Sequence, residues 1–285
     1  MTKRLLPTLA LATAAIAFAA AALCQSAHTP VFSSDPRAKK AIDDAVEALG
    51  GRKFLSMRDR VEAGRAYSFY RDNISGLSIA TIYTQYFDVP PDKTGQDLGI
   101  REREVFGKNE EYGYALFREN GAWEVTFQGP RELEQDKIDS FQRTALNDIL
   151  YILRMRLNEP GLTFDWKGSD VIENTPVNIV DVVDSQDRVV TVNFHQYTKL
   201  PVKETWSWRD PKTHDRNDEV ARYTVYRDEG DGIQWPHTIS RERNGEKRNQ
   251  IFSDDVWINL GLPDAVFETP KGPAAKTPFK LPKKK

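Results

Sequence analysis

"DGIQWPHTISRERNGEKRNQIFSDDVWIN", residues 231–259, is the stretch that decides the fold. Two apolar segments flank Asn244-Gly245, a dipeptide that accepts the positive φ angles of a two-residue hairpin turn. The stretch therefore reads as two antiparallel strands. Trp235-Pro236 interrupts the first of them. Proline has no N–H to give a ladder, so it belongs where a strand bends or runs along an edge.

The same pattern extends outward through most of the chain. "VEAGRAYSFYRD" alternates through Val61, Ala63, Tyr67 and Phe69, and "LSIATIYTQYFD" places Leu77, Ile79, Tyr83 and Phe87 on one face and Ile82 and Tyr86 on the other. "IREREVFG" and "EYGYALFR" continue the series, and Asn120-Gly121 turns into "AWEVTFQ". Further along, "VNIVDVVD", "RVVTVNFHQYT", "LPVKETWSWRD" and "EVARYTVYRD" lead to the opening hairpin. About ten to twelve strands joined by short turns imply antiparallel pairing. A sheet of that size must curl strongly or close on itself.

Two segments break the alternation. In "SSDPRAKKAIDDAVEALGG", Asp35 can cap a helix, Pro36 suits its first position, and Gly50 and Gly51 end it. Ala38, Ala41, Ile42, Ala45, Val46 and Leu49 form its apolar stripe. "RELEQDKIDSFQRTALNDILYILRMRLNEPG", residues 131–161, reads as one long helix with Ile138, Phe141, Ala145, Ile149, Ile152 and Leu153 on its greasy face. Inserted between strands, it must cover a sheet face. The expected class is mainly β with α: a strongly curved antiparallel sheet covered by two helices.

The ends differ from this body. Lys3 and Arg4 followed by an apolar run to Leu23 form the n- and h-regions of a secretory signal, assigned to residues 1–24. Cys24, the single cysteine, closes that run; it is either an acylation site or part of a segment removed with the signal. No cysteine pair is available, so packing rather than disulfides must hold the exported protein together. The leader holds two basic residues and the tail 270–285 six lysines, which leaves 32 basic against 42 acidic residues between them, a net charge of −10. An acidic body argues against nucleic acid as a partner. The tail has four prolines and no apolar periodicity, so it is expected to be disordered, with lysines able to touch an anionic envelope surface.

Residues able to do chemistry are sparse. His28, His195, His214 and His237 lack metal-ligand spacing, and no nucleophile-elbow, dinucleotide-binding or phosphate-loop string occurs. "DVVDSQD" and "DEGDG" fall at turns, where Asp and Gly serve the backbone. Neither a metal nor a cofactor is expected, and the expected protein is a monomer without enzymatic activity. Aromatics recur in strand after strand, and a curved sheet incompletely filled by helices leaves an apolar concavity that suits a ligand.

The arrangement resembles the LolA/LolB-like periplasmic lipoprotein carriers and the related mycobacterial lipid-binding lipoproteins. The resemblance rests on the N-terminal helix ending in "ALGG", the strand "GDGIQWPHTIS" and the closing "INLGLPDAVFETP". It covers residues 35–269 as a single half-barrel domain, and no equivalent of the family's functional arginine aligns. It implies an unclosed β-barrel with helices as a lid over a hydrophobic cavity for acyl groups. The expected lining is Phe69, Tyr83, Phe117, Trp206, Trp208 and Trp235 from strands, with Phe141, Ile149 and Ile152 from the lid. Ile149→Asp is then expected to abolish ligand retention in a folded protein. The implied function is an exported, non-enzymatic carrier or sensor of lipid or acylated ligands, with lipoprotein sorting as one form of it. The alternatives are an anchored structural or assembly protein whose concavity is filled by its own side chains, and a hydrolase built on an acid pair.

Overall fold

The structure is a computed structural model that describes residues 34–93 and 97–283. The leader and Cys24 lie outside the described residues. Thirteen strands form one antiparallel sheet: β1 (Asp59–Tyr70), β2 (Asn73–Tyr86), β3 (Ile100–Phe106), β4 (Gly113–Arg118), β5 (Gly121–Thr126), β6 (Gly129–Glu132), β7 (Thr163–Ile172), β8 (Thr175–Val183), β9 (Val189–His195), β10 (Pro201–Arg209), β11 (Arg216–Asp228), β12 (Gln234–Arg243) and β13 (Glu246–Ile258). Their order is β6-β5-β4-β3-β2-β1-β13-β12-β11-β10-β9-β8-β7. Every neighbour pair is a sequential hairpin except β1–β13, which joins the first and last strands at the centre of the sheet.

This order has a consequence for the helices. β6 and β7 follow one another in sequence but form the two opposite edges, so the sheet is curved and open rather than closed. The chain between them, residues 133–162, must cross from edge to edge, and it carries the helical segment that covers the inner face. Gly64 accommodates part of the curvature. The register against β13 shifts between Ala63 and Gly64, and a Cβ at Gly64 would lie 1.9 Å from the Phe252 carbonyl oxygen. Such a bulge bends the strand that carries it. Pro236 stands in β12 just before the β12–β13 ladder begins at Thr238, so its missing N–H breaks no bond to β13.

Helix α1 (Pro36–Leu49) forms as its sequence dictates. Asp35 accepts from the Arg37 amide at 2.7 Å, and all six stripe residues from Ala38 to Leu49 are buried. Gly50 ends it with φ 123°, where a Cβ would meet the Ile233 Cα at 3.0 Å. A short α2 (Arg52–Leu55) follows. Together with the β7–β13 side of the sheet these helices close a core around Leu49, Phe54, Val192, Phe194 and Val256.

The outer face has its own cover. At the end of β13, Asn259 turns with φ 57° and its Oδ1 accepts from the Arg58 amide at 2.7 Å. The Asp59 carboxylate then accepts from the amides of Leu260, Gly261 and Leu262 at 2.7, 2.9 and 3.1 Å. This capture folds the closing motif back over the sheet, where Leu262, Val266 and Phe267 pack on Val61, Tyr83, Val105 and Leu116. Residues 270–283, expected to be disordered, continue along the same face. Ala274 donates to Thr126 O at 2.8 Å, Thr277 to Glu110 at 2.6 Å, and Arg103 donates to Ala275 O at 3.0 Å. Prolines make the segment extended, and an extended segment docks when strands and the turns between them supply its hydrogen bonds. Phe267→Ala is expected to cost about 3–5 kcal/mol, because the ring is 1% exposed and its loss leaves a cavity. A urea midpoint equal to that of the wild type would refute that packing.

Candidate lipid-binding cavity

The crossing segment is not one helix. It divides into α3 (Gln135–Asn147) and α4 (Ile149–Tyr151), which runs on into a π-helical turn, Ile152–Arg156. Asp148 separates them in an extended conformation, and its carboxylate accepts from the amides of Leu150 and Tyr151 at 3.0 and 3.3 Å. The same carboxylate takes the Tyr223 hydroxyl at 3.2 Å and Arg241 Nη2 at 2.8 Å. The Ile149 amide, left without a helical acceptor by the break, donates to Glu204 Oε2 at 2.7 Å. Tertiary partners on β10, β11 and β12 thus outweigh the helical pattern at this residue.

The two halves are held differently. Ile149, Ile152 and Leu153 are buried in the inner core, and Arg156 reaches Leu146 O, Glu159 and Asp184 at the far end. In α3 only Leu146 and Asn147, in its last turn, are buried. Its apolar residues Ile138, Phe141 and Ala145 are half-buried, and Phe141 stacks on Phe117 of β4 at 3.8 Å between centroids, 6° from parallel. Arg143 lies 3.6 Å over the Trp208 ring, and Lys212 pairs with Asp136 at the surface.

Between α3 and the inner face of β1–β4 and β12–β13 is a cavity of about 500 Å³. A second, of about 580 Å³, lies on the other side of the Phe117–Phe141 stack and extends to Leu98 and Ile138. Both volumes are of the size that accepts small ligands, about 300–1,000 Å³. Ile82, Phe117, Phe141, Leu150 and Ile239 give the first cavity its apolar wall.

Of the nine residues expected to line it, Phe117, Phe141 and Trp235 do so. Trp206 and Trp208 face inward, but Trp206 is covered by core and Trp208 carries Arg143. Ile149 and Ile152 are core rather than lid surface. Tyr83 points to the outer face, where Val61 and Val266 cover it; the inward residues of β2 are Ile82, Thr84 and Tyr86. Phe69 lies at the far end of β1 beneath Lys247, outside the cavity wall. A shift of one residue exchanges the two faces of a strand, and that parity governs Tyr83.

Sequence reasoning missed the polar part of the wall. Arg60 is its hub: Nε lies 3.0 Å from Glu62, Nη1 donates to the Tyr86 hydroxyl at 2.8 Å and Nη2 to Thr84 at 3.1 Å, while its guanidinium lies 4.3 Å over Trp235. Thr84 in turn donates to Glu102 at 2.8 Å. Glu102 and Glu104 follow one another on the inner face of β3. Burial raises the Glu102 carboxyl against the pull of Arg60 and Thr84. Burial and the neighbouring Glu102 push Glu104 well above the usual range. The signal was legible in "IREREVF", whose alternation places both acids on one face with Ile100 and Phe106.

No group of acidic, histidine or cysteine residues able to hold a metal occurs among the described residues, nor is any helix there long and apolar enough to cross a membrane. No protein-family model matches the chain, and no curated protein matches it. Solved structures similar to it include a DUF1329 family protein from Desulfovibrio piger, with a TM-score of 0.54, 16% identity, and coverage of 82% of this chain and 98% of that one. A putative outer membrane lipoprotein-sorting protein domain from Vibrio parahaemolyticus has a TM-score of 0.52 at 11% identity, over 81% of this chain and 97% of the other. A LolA superfamily protein from Nitrosomonas europaea has a TM-score of 0.47 at 13% identity, over 81% and 97%. With its open antiparallel sheet and inner helical cover, the chain has the LolA-like fold.

Proposed function

We propose that the protein is an exported, non-enzymatic carrier or sensor that shelters lipid or acyl groups in the cavity beneath α3. The observation that carries this reading is the half-buried apolar stripe of α3 above a cavity of about 500 Å³. A helix contributes stability by burying its stripe, and a ligand's acyl chain completes that burial here. Each methylene transferred from water adds about 0.8 kcal/mol. The β7–β11 part of the inner face is filled by the protein's own core, so the self-filled structural alternative describes that part and not the part under α3. The leader directs export, and the lysines that end the chain face anionic envelope surfaces. The likeness to a lipoprotein-sorting domain supports acylated cargo as the ligand class.

The test is native mass spectrometry of protein purified from a bacterial periplasm, followed by solvent extraction. A discrete extra mass that extracts as lipid is expected; a bare polypeptide, still bare after incubation with envelope lipids, rules the carrier out. Phe141→Ala removes the stack on Phe117, about 0.5–1.5 kcal/mol, and opens the wall between the cavities. It is expected to lower ligand occupancy at least tenfold while the melting midpoint stays within a few degrees. Unchanged occupancy in that variant would exclude α3 as the lid.

A further inference from the structure

We propose that the ligand carries a protonated amine as well as an aliphatic tail, and that its ammonium group seats on Glu102 and Glu104. This inference rests on the carrier reading and adds the chemistry of the ligand's polar end. On the inner face, Glu102 lies opposite Thr84 on β2 and Phe117 on β4, and Glu104 opposite Ile82 and Ala115. Phe106 follows Glu104 on the same face and is 47% exposed. Two carboxyl groups thus stand between aromatic rings at the cavity wall, a setting that favours an organic cation.

The two arginines at the cavity wall are committed elsewhere. Arg60 is paired with Glu62 and shared among Tyr86, Thr84 and the Trp235 ring. Arg241 is paired with Asp148 at 2.8 Å and faces Glu204 at 3.9 Å. Lys137 of α3 borders the cavity but is exposed and forms no ion pair among the described residues. Neither Glu102 nor Glu104 has an ion-pair partner among them; Glu104 bonds Glu102 instead. Arg60 lowers the Glu102 carboxyl through space but forms no ion pair with Glu104 among the described residues, and a half-buried carboxyl pair with that one shared cation is neutralised further by a proton or by a ligand cation. The raised pKa of Glu104 agrees with the first arrangement in the free protein. A second polar group on the wall also calls for a partner, an acceptor in this case: the Trp235 indole N–H, in a residue 2% exposed, has no hydrogen-bond partner among the described residues. The wall therefore offers acceptors for an ammonium group and, on the other side of Arg60, one donor for an oxygen of the ligand. The tail would run along Phe117, Phe141, Leu150 and Ile239.

An ammonium ion and a proton compete for the same carboxyl pair. Alkylamines stay protonated to about pH 10, so ammonium affinity must rise with pH as Glu104 loses its proton, and binding must release protons.

The experiment is titration calorimetry of the full chain with dodecylammonium, dodecanol and dodecanoate below their micelle concentrations, in buffers of different ionisation enthalpy. The expected result is at least tenfold tighter binding of dodecylammonium than of the other two, with proton release. Glu104→Gln is expected to remove that preference and the proton release. Glu102→Gln serves as a second variant, with circular dichroism to confirm that each is folded. Equal binding of dodecanol or dodecanoate, or a preference that both variants retain, overturns the inference and leaves the carrier reading in place. Binding of none of the three overturns both.

Discussion

Ile149→Asp is expected to unfold the protein, and not merely to empty its cavity. Ile149 is 0% exposed and packs in the inner core with Ile152 and Leu153. Its amide already donates to Glu204, and Asp148 precedes it. A carboxylate at this position would join those of Asp148 and Glu204, between which Arg241 is already shared. Burying an unpaired charge belongs to the few mechanisms that cost more than about 4 kcal/mol, a large fraction of a total stability of about 5–15 kcal/mol. Loss of soluble, cooperatively melting protein is the expected outcome by circular dichroism. Ile149→Ala, which only truncates the side chain, should cost about 2–5 kcal/mol in urea denaturation. A soluble Ile149→Asp protein melting within a few degrees of the wild type would show that the residue lies at a lid surface after all. The lid is better probed at Phe141, where the side chain is half-buried and touches the sheet through one ring.

The contrast between these two residues marks how much the sequence could show. α1 was legible because its cap, stripe and terminal glycines are local and agree with one another. The hairpin at Asn244-Gly245 was legible for the same reason, and the one expected at Asn120-Gly121 forms one residue earlier, with Glu119-Asn120 as its loop and Gly121 paired with Arg118. β7 was not assigned, and Arg131 and Glu132 of β6 were read as the start of the long helix. "GPRE" contains a proline and two charges, and "TFDWKGSDVI" has Gly168 and several charges within it. The break at Asp148 leaves no mark in the apolar periodicity, since its causes are Glu204, Tyr223 and Arg241, all distant in sequence. Strand faces were legible as alternation but not as inside or outside. Tyr83 and Ile82 are both good strand residues, and the cover supplied to the outer face by residues 260–283 makes either parity apolar. That same cover misled the reading of the tail, whose partners Arg103, Glu110 and Thr126 lie more than a hundred residues earlier. The polar wall was overlooked because a search for lipid-binding residues attends to aromatics, whereas the cavity combines Phe117 and Phe141 with Glu102 and Glu104.

Arg241→Met is expected to destabilise the fold by about 3–5 kcal/mol near pH 8, and by less at pH 5. The guanidinium holds Asp148 at the helix break and faces Glu204, which is 0% exposed. Removing it leaves two buried carboxyl groups without a cation. Burial, with the Asp148 charge beside it, already pushes the Glu204 carboxyl up to about 8. The sign of the pH dependence follows from that shift. Above its unfolded value of 4.5 and below about 8, the folded protein holds a proton at Glu204 that the unfolded chain has released. This group's contribution to stability is therefore largest below pH 4.5 and declines as pH rises to about 8, at a rate of at most about 1.4 kcal/mol per unit. Glu204→Gln keeps an oxygen for the Ile149 amide and removes the titration. It is expected to flatten the stability profile over that window and to make the protein more stable than the wild type at pH 8. In the Arg241→Met background the same change should restore much of the lost stability, a non-additivity that contacting residues show and distant ones do not. Urea midpoints for the four proteins at pH 5 and pH 8 decide the matter. If Arg241→Met costs the same at both pH values and Glu204→Gln does not relieve it, charge on Glu204 is not what Arg241 balances. The segment that follows α3 would then be held to the sheet by packing around Ile149 and Ile152 alone.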